Sequence, residues 1–127
     1  MNKLINFLKC SNISDRVKMV EELKKNIQEL VKSIINISDI PNEIIYPESI
    51  TVVPEKELKL NMACPKQLLH SIAHIEYNAQ TIYADTLLRY YKNFEGDKKA
   101  EFIHDIMNIV YEETKHFEML DNRLREL

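Results

Sequence analysis

The sequence predicts an all-α protein whose centre is a hairpin of two long helices. Two stretches, residues 68–88 and 102–124, place apolar side chains three and four residues apart, which is the spacing of one helix face. One glycine and four prolines in 127 residues are too few for a turn-rich β fold. This length fits a single domain, and no apolar run approaches the roughly 18 residues that suggest a transmembrane helix.

We expect residues 1–36 to form an N-terminal helical region. The first ten residues predict a short helix rather than a signal peptide, because no small-residue cleavage site follows their apolar part. Residues 14–35 then predict an amphipathic helix with Ser14 as its N-cap and Asp15 in its first turn. The apolar face of that helix comprises Val17, Val20, Leu23, Ile27, Leu30 and Ile34.

Residues 37–64 predict an extended segment. Pro41, Pro47 and Pro54 fix the backbone angle φ and remove amide donors, which excludes a regular helix or a central strand. Apolar residues lie between the prolines, so we expect the segment to pack along the outside of the helices rather than to act as a linker.

The hairpin is expected to occupy residues 65–127 and to complete a single domain over residues 1–127. Pro65 suits the first turn of a helix that runs to about Phe94. Gly96 suits the left-handed position after a helix end, and Asp97 is a suitable N-cap for the second helix. Only two to four residues join the helices, so they should pack antiparallel.

Three polar residues interrupt the apolar faces of this hairpin: Glu76 in the first helix, and Glu113 and His116 in the second. The Glu-x-x-His spacing places Glu113 and His116 on one helix face. A lone Glu followed by Glu-x-x-His on the next helix is half the ligand set of di-iron and di-manganese carboxylate bundles. The absence of thiolate ligands argues against a structural zinc site. A solvated Glu and a hydrogen-bonded His are the alternative interpretation.

Other chemistry-bearing residues are expected to be structural or solvated. His70 and His74 have a metal-compatible spacing, but their face lies about 100° or more from Glu76. We expect Tyr83 in the core and Glu112 in solvent. Two further residues, His104 and Asp105, are expected at the surface.

Charge and composition narrow the functional classes. The net charge of −3, from 17 basic and 20 acidic side chains, gives no support for a nucleic-acid or membrane surface. No Ser-His-Asp set or glycine-rich phosphate loop indicates a hydrolase or a nucleotide-binding protein. Cys10 and Cys64 are expected to be free thiols in a reduced cytoplasm.

Two motifs, LLHSIAHIEYNA at residues 68–79 and YEETKHFEML at residues 111–120, give the sequence a family resemblance. It resembles the ferritin-like domain-of-unknown-function family 455, which is distantly similar to di-iron tRNA hydroxylases. The resemblance implies a ferritin-like helical hairpin, half of a four-helix bundle, preceded by the amphipathic helix and the proline-punctuated segment. It implies Glu76, Glu113 and His116 as ligands of iron, or of manganese, in an oxygen-activating oxidase or hydroxylase.

Members of that family continue through a second helix pair with another Glu and another Glu-x-x-His, whereas this sequence ends at Leu127. We therefore expect a homodimer, or a separate chain that carries the C-terminal half, to complete the site. The alternative is a metal-free helical interaction module or a truncated remnant of a longer ferritin-like protein.

Overall fold

The computed structural model describes residues 2–34, 43–47 and 64–127, and within these ranges it contains α-helices and no β-strand. The predicted all-α class is confirmed. None of the helices in these ranges combines the length and the apolar character that crossing a membrane would require. The helices are α1 (Asn2–Lys9), α2 (Ile13–Lys25), α3 (Ile27–Ile34), α4 (Pro65–Tyr90) and α5 (Gly96–Glu126).

Helices α4 and α5 form the predicted antiparallel hairpin. Tyr77 of α4 packs edge-to-face on Phe117 of α5, with ring centroids 5.5 Å apart. One turn later on α4, Gln80 accepts a hydrogen bond from Thr114, which precedes Phe117 on α5. Contacts therefore move backwards along α5 as α4 advances, as antiparallel packing requires. Pro65 occupies the first turn of α4, as predicted, where its missing amide donor costs nothing.

The connection between α4 and α5 differs in detail from the sequence prediction. Helix α4 ends at Tyr90, and a 3₁₀ turn (Tyr91–Asn93) replaces the last helical turn that was expected up to Phe94. Phe94 is extended and stacks on Phe102 of α5 at 4.4 Å. Gly96 has the predicted left-handed conformation, with φ of 56°, but it opens α5 instead of directly following α4. Asp97 lies in the first turn of α5 and is not the N-cap.

The N-terminal region is helical, but its boundaries differ from those predicted. Asn12, not Ser14, caps α2, because its side-chain oxygen accepts a hydrogen bond from the Asp15 amide at 3.0 Å. The single helix expected over residues 14–35 is interrupted at Asn26, whose ψ of 40° is not helical. The Asn26 carbonyl accepts hydrogen bonds from the amides of Glu29 and Leu30, so it starts α3. Asparagine favours such breaks because its side chain competes for backbone hydrogen bonds.

Helices α1 and α2 cover one side of the hairpin and form the core with it. Side chains from α1, α2, α4 and α5 meet in one apolar cluster, which α3 and the segment 43–47 also join. The fully buried members of this cluster are Leu4, Phe7, Leu8, Val20, Ala84, Leu87, Leu88, Ile103, Met107 and Val110. The opposite side of the hairpin carries no helix from the described ranges, and several of its apolar side chains are exposed.

Residues 43–47 represent the predicted extended segment, of which the rest lies outside the described residues. They form neither helix nor strand, and Ile45 and Pro47 are buried. The Glu43 carbonyl accepts a hydrogen bond from the guanidinium of Arg89, which is itself paired with Asp85 at 2.8 Å. This part of the segment therefore packs against the helices, as expected.

Candidate metal centre

The structure brings the three predicted ligands, Glu76, Glu113 and His116, together on the hairpin. One ligand atom from each of them lies within 4.8 Å of the other two. The His116 Nδ1 atom is 3.6 Å from a Glu76 carboxylate oxygen and 3.5 Å from a Glu113 oxygen. Glu113 and His116 converge because they are one turn apart on α5, and Glu76 reaches them from the facing turn of α4.

The three side chains are less buried than their position between apolar residues suggested. The side chains of Glu76 and Glu113 are 24% and 22% exposed, and that of His116 is 53% exposed. Glu76 and Glu113 are therefore partly exposed, and His116 is exposed. The reason is that no helix of the described ranges covers this side of the hairpin. Both carboxylates and the imidazole are accessible to an ion from solvent.

The neighbouring Glu113 carboxyl affects the pKa of Glu76. A hydrogen bond between the side chains of Glu76 and Glu113 raises the pKa of Glu76, and partial burial and the charge of Glu113 add to this effect. His116 acts in the opposite direction. A bound divalent ion would offset the repulsion between two neighbouring carboxylates.

The donor set fits an ion such as iron or manganese. Ligand atoms that share one ion at about 2.1 Å stand about 3.0–3.5 Å apart, close to the two measured separations from His116 Nδ1. Carboxylate oxygen and imidazole nitrogen are the ligand types of these metals. Three ligands leave part of the coordination sphere open, and the site faces a surface groove of about 450 Å³ lined by Ile72, Glu76, His116, Met119 and Leu120.

A buried polar network lies beside these residues, and the sequence interpretation missed it. Arg16 of α2 is 1% exposed and donates hydrogen bonds to the side-chain oxygen of Gln80 and to the Tyr77 hydroxyl. The same Gln80 oxygen accepts a hydrogen bond from Thr114 at 3.2 Å. The sequence does contain a pattern that could have indicated this burial. Arg16 precedes Val20 by four residues and Leu23 by seven, so it lies on the apolar face of α2.

The remaining candidates lie where the sequence predicted. His70 and His74 are exposed and pack edge-to-face on each other at 4.5 Å, and neither belongs to the Glu76 group. Tyr83 packs against the core cluster, and Glu112 is exposed. His104 and Asp105 are both exposed and face each other at 4.0 Å.

Comparison with known proteins identifies the family. The model of the family described as "Protein of unknown function (DUF455)" matches residues 9–127. The chain belongs to this family. Among curated proteins, a relative from Haemophilus influenzae described as "Uncharacterized protein" is 28% identical over 136 residues. No solved structure matches the chain.

The alignment with this relative shows how much of each protein is shared. The alignment with the Haemophilus influenzae protein covers 94% of this chain and 46% of the relative. This chain therefore spans about half the length of the curated relative it matches. All three clustered residues lie within the part that matches the family.

Proposed function

We propose that this chain is the ligand-bearing hairpin of a ferritin-like di-iron carboxylate protein. The observation that carries the proposal is the convergence of one ligand atom each from Glu76, Glu113 and His116 within 4.8 Å. These residues lie on two antiparallel helices in the Glu and Glu-x-x-His arrangement of such bundles. Bound iron would supply dioxygen activation for an oxidation or hydroxylation. Manganese has the same ligand preferences and is the second candidate metal.

The roles of the protein side chains follow from their positions. Glu76 and Glu113 would supply negative charge to the ion, and His116 would supply a neutral nitrogen ligand. Carboxylates bind a metal ion in their deprotonated form, so metal binding at Glu76 and Glu113 is expected to depend on pH. The apolar side chains of Ile72 and Leu120 border the site and would limit the access of water.

A second helical hairpin would complete both the fold and the ligand set. Leu68, Ile75 and Ile82 follow one another at seven-residue intervals along α4, and all three are exposed. We call these three residues the apolar stripe. Met119 of α5, at the adjacent groove, is 67% exposed. Exposed apolar rows of this kind mark interaction surfaces. The second hairpin would come from another copy of this chain or from a separate chain with the complementary half.

The test is the metal content of protein purified from iron-supplemented cells, with the mass in solution determined on the same sample. We expect about one iron per chain in an assembly with a second hairpin, because a four-helix carboxylate bundle holds two ions. Glu113→Ala should lose this iron and keep its helix content. Glu112→Ala is the matched control: the neighbouring glutamate is exposed and outside the cluster, so its removal should leave the iron unchanged.

Two results would contradict the metal proposal. One is wild-type protein that is associated with a second hairpin and still contains neither iron nor manganese after growth in either metal. The other is Glu113→Ala protein that keeps the wild-type metal content. Either result would favour the alternative function, a metal-free helical interaction module, which the apolar stripe supports independently of the ligands.

A further inference from the structure

The side chain of Arg16 is a buried cation whose hydrogen-bond partners within the described ranges are all neutral. Its Nη1 atom donates to the Cys10 carbonyl and to the Tyr77 hydroxyl, both at 2.9 Å. Its Nε and Nη2 atoms donate to the Gln80 side-chain oxygen at 3.3 and 3.1 Å. The guanidinium also lies 4.3 Å from the centre of the Phe7 ring. Among the residues that the structure describes, no carboxylate forms an ion pair with it.

Stability alone gives a poor reason for this arrangement. Burial of a charge without a counter-ion is costly, and apolar residues of similar volume often replace buried charges without loss of stability. Burial in fact lowers the pKa of Arg16, although Tyr77 partly opposes this effect. An apolar side chain on this face of α2 would join the core with Val20 and Leu23 at no such cost.

The orientation of Gln80 shows what Arg16 controls. The Gln80 oxygen accepts two hydrogen bonds from Arg16 and lies 3.2 Å from the Thr114 hydroxyl of α5, whose single proton it shares with the Val110 carbonyl at 2.7 Å. Its Nε2 atom is buried and has no hydrogen-bond partner among the described residues. An unpaired buried donor is unfavourable. The orientation of the Gln80 amide is therefore determined by the contacts of its oxygen with Arg16 and Thr114, and not by the hydrogen bonding of its Nε2 atom. Arg16 thereby connects α2 through Gln80 of α4 to Thr114 of α5.

This connection lies directly beside the three clustered ligands. Gln80 is one helical turn after Glu76 on α4, and Tyr77 is the next residue after Glu76. Thr114 follows Glu113 and precedes His116 by two positions on α5. A slide of α4 along α5 would break the hydrogen bond between Gln80 and Thr114 and would separate the ligand of one helix from those of the other.

We infer that Arg16 is a positioning residue that fixes α4 against α5 so that Glu76 stays within reach of Glu113 and His116. The inference rests on the proposed metal site, and it concerns a residue that touches none of the three ligands. Outer residues that orient ligands typically change metal affinity by about 10- to 100-fold when they are replaced.

The first test measures Co²⁺ affinity and the visible absorption spectrum of the bound Co²⁺, at a temperature where circular dichroism shows all variants folded. Arg16→Met keeps an unbranched side chain but removes the hydrogen bonds. It should weaken Co²⁺ binding by about 10- to 100-fold and alter the spectrum. Leu23→Ala is the matched control, since Leu23 is buried on the same helix and contacts the core alone. It should lower the unfolding temperature and leave affinity and spectrum unchanged.

The second test needs no metal. In a background with Cys10→Ser and Cys64→Ser, the pair Glu76→Cys and Glu113→Cys should form a disulfide under mild oxidation. Adding Arg16→Met should slow disulfide formation by about tenfold or more. The reason is that a small displacement of the two cysteine sulfur atoms from their reactive geometry lowers the reaction rate by a factor of this size. Leu23→Ala should leave the rate unchanged.

The two tests separate the inference from the proposed function. Wild-type protein that binds no Co²⁺, combined with a slower disulfide in Arg16→Met, would contradict the metal site and support the role of Arg16. Unchanged affinity, spectrum and disulfide rate in Arg16→Met would overturn the inference. If Arg16→Met does not fold, Thr114→Val removes the α5 end of the same connection. It should then weaken Co²⁺ binding, and an unchanged affinity would overturn the inference.

Discussion

Two kinds of polar residue lie in or against the hairpin, and they differ in their exposure to solvent. Glu76 and Glu113 keep nearly a quarter of their side-chain surface exposed, so they can exchange protons and ions with water. Arg16 and Gln80 are buried and hydrogen-bonded in one fixed arrangement. The accessible pair is suited to binding, and the buried pair is suited to holding the helices in register.

Gly96 is a residue at which backbone conformation alone decides the effect of a substitution. Its φ of 56° is left-handed, and a Cβ atom added there would meet nothing within 4 Å. Gly96→Ala should therefore lower the free energy of unfolding by about 1–2 kcal/mol, the cost of a left-handed L-residue. Urea denaturation measures this change. Gly96→Asn should lose less, because asparagine tolerates this conformation. Equal stability of Gly96→Ala and the wild type would contradict the argument.

The sequence predicted the three clustered ligands but not the network behind them. Glu76, Glu113 and His116 were found because their spacing places polar groups on apolar faces, a pattern that is visible in one dimension. Arg16 has the same kind of placement, yet a single arginine at the edge of an apolar face normally extends its charge into solvent. Its burial depends on acceptors from Gln80 and Tyr77, more than 60 positions away in the chain.

At the level of secondary-structure elements, capping groups and breaks set the boundaries that periodicity leaves undefined. The helical character of α2, α4 and α5 followed from their apolar spacing, whereas the ends of α2 and α4 were displaced from the predicted positions. Helix α2 starts where the Asn12 side chain satisfies the Asp15 amide, and it stops at Asn26. The exact end of a helix depends on which of several nearby polar side chains forms the hydrogen bond to the backbone there.

The cap of α2 provides a test at this scale. Asn12→Ala should lower the free energy of unfolding by about 1 kcal/mol, because the Asp15 amide loses its acceptor. Ser14→Ala is the matched control, since Ser14 lies inside the helix and is exposed, and it should change stability little. Thermal unfolding followed by circular dichroism measures both. If Ser14→Ala were the more damaging substitution, Asn12 would not be the effective cap.

On the scale of the whole molecule, the helices of the described ranges pack against one side of the hairpin and not against the other. Helices α1 and α2 bury one side, whereas the apolar stripe and the three clustered residues Glu76, Glu113 and His116 lie on the side that these helices leave uncovered. The family model matches residues 9–127, and the alignment with the Haemophilus influenzae relative covers 94% of this chain but only 46% of that protein. The all-α hairpin could be predicted from one sequence because its contacts are between neighbouring helices. The surface that packs against the apolar stripe could not be predicted in this way, because it does not belong to these helices.

The apolar stripe predicts that a charged residue introduced within it would prevent association with a second hairpin. Ile75 is 65% exposed, so Ile75→Lys should change the free energy of unfolding of the isolated chain by no more than about 0.5 kcal/mol. If a second hairpin packs there, the variant should lose association and metal content together, because a buried unpaired lysine is unfavourable. Light scattering and metal analysis measure the two quantities.

Ile44→Lys is the matched control for this variant. Ile44 is also an exposed isoleucine, at 44%, but it belongs to the segment 43–47 and not to the apolar stripe. It should leave mass and metal content unchanged. An Ile75→Lys protein with the mass and metal content of the wild type would show that the stripe is not the association surface.

The hydrogen bond between Arg16 and Gln80 also has a consequence for synthesis of the chain. The two residues are 64 positions apart, so at about 5–20 residues per second Gln80 is added roughly 3–13 s after Arg16. For most of that interval the apolar faces of α1 and α2 have been made, but the hairpin that will cover them has not. The hairpin itself closes through a short turn and should form quickly once α5 is complete. Until then, the N-terminal helices expose apolar side chains that the folded chain buries.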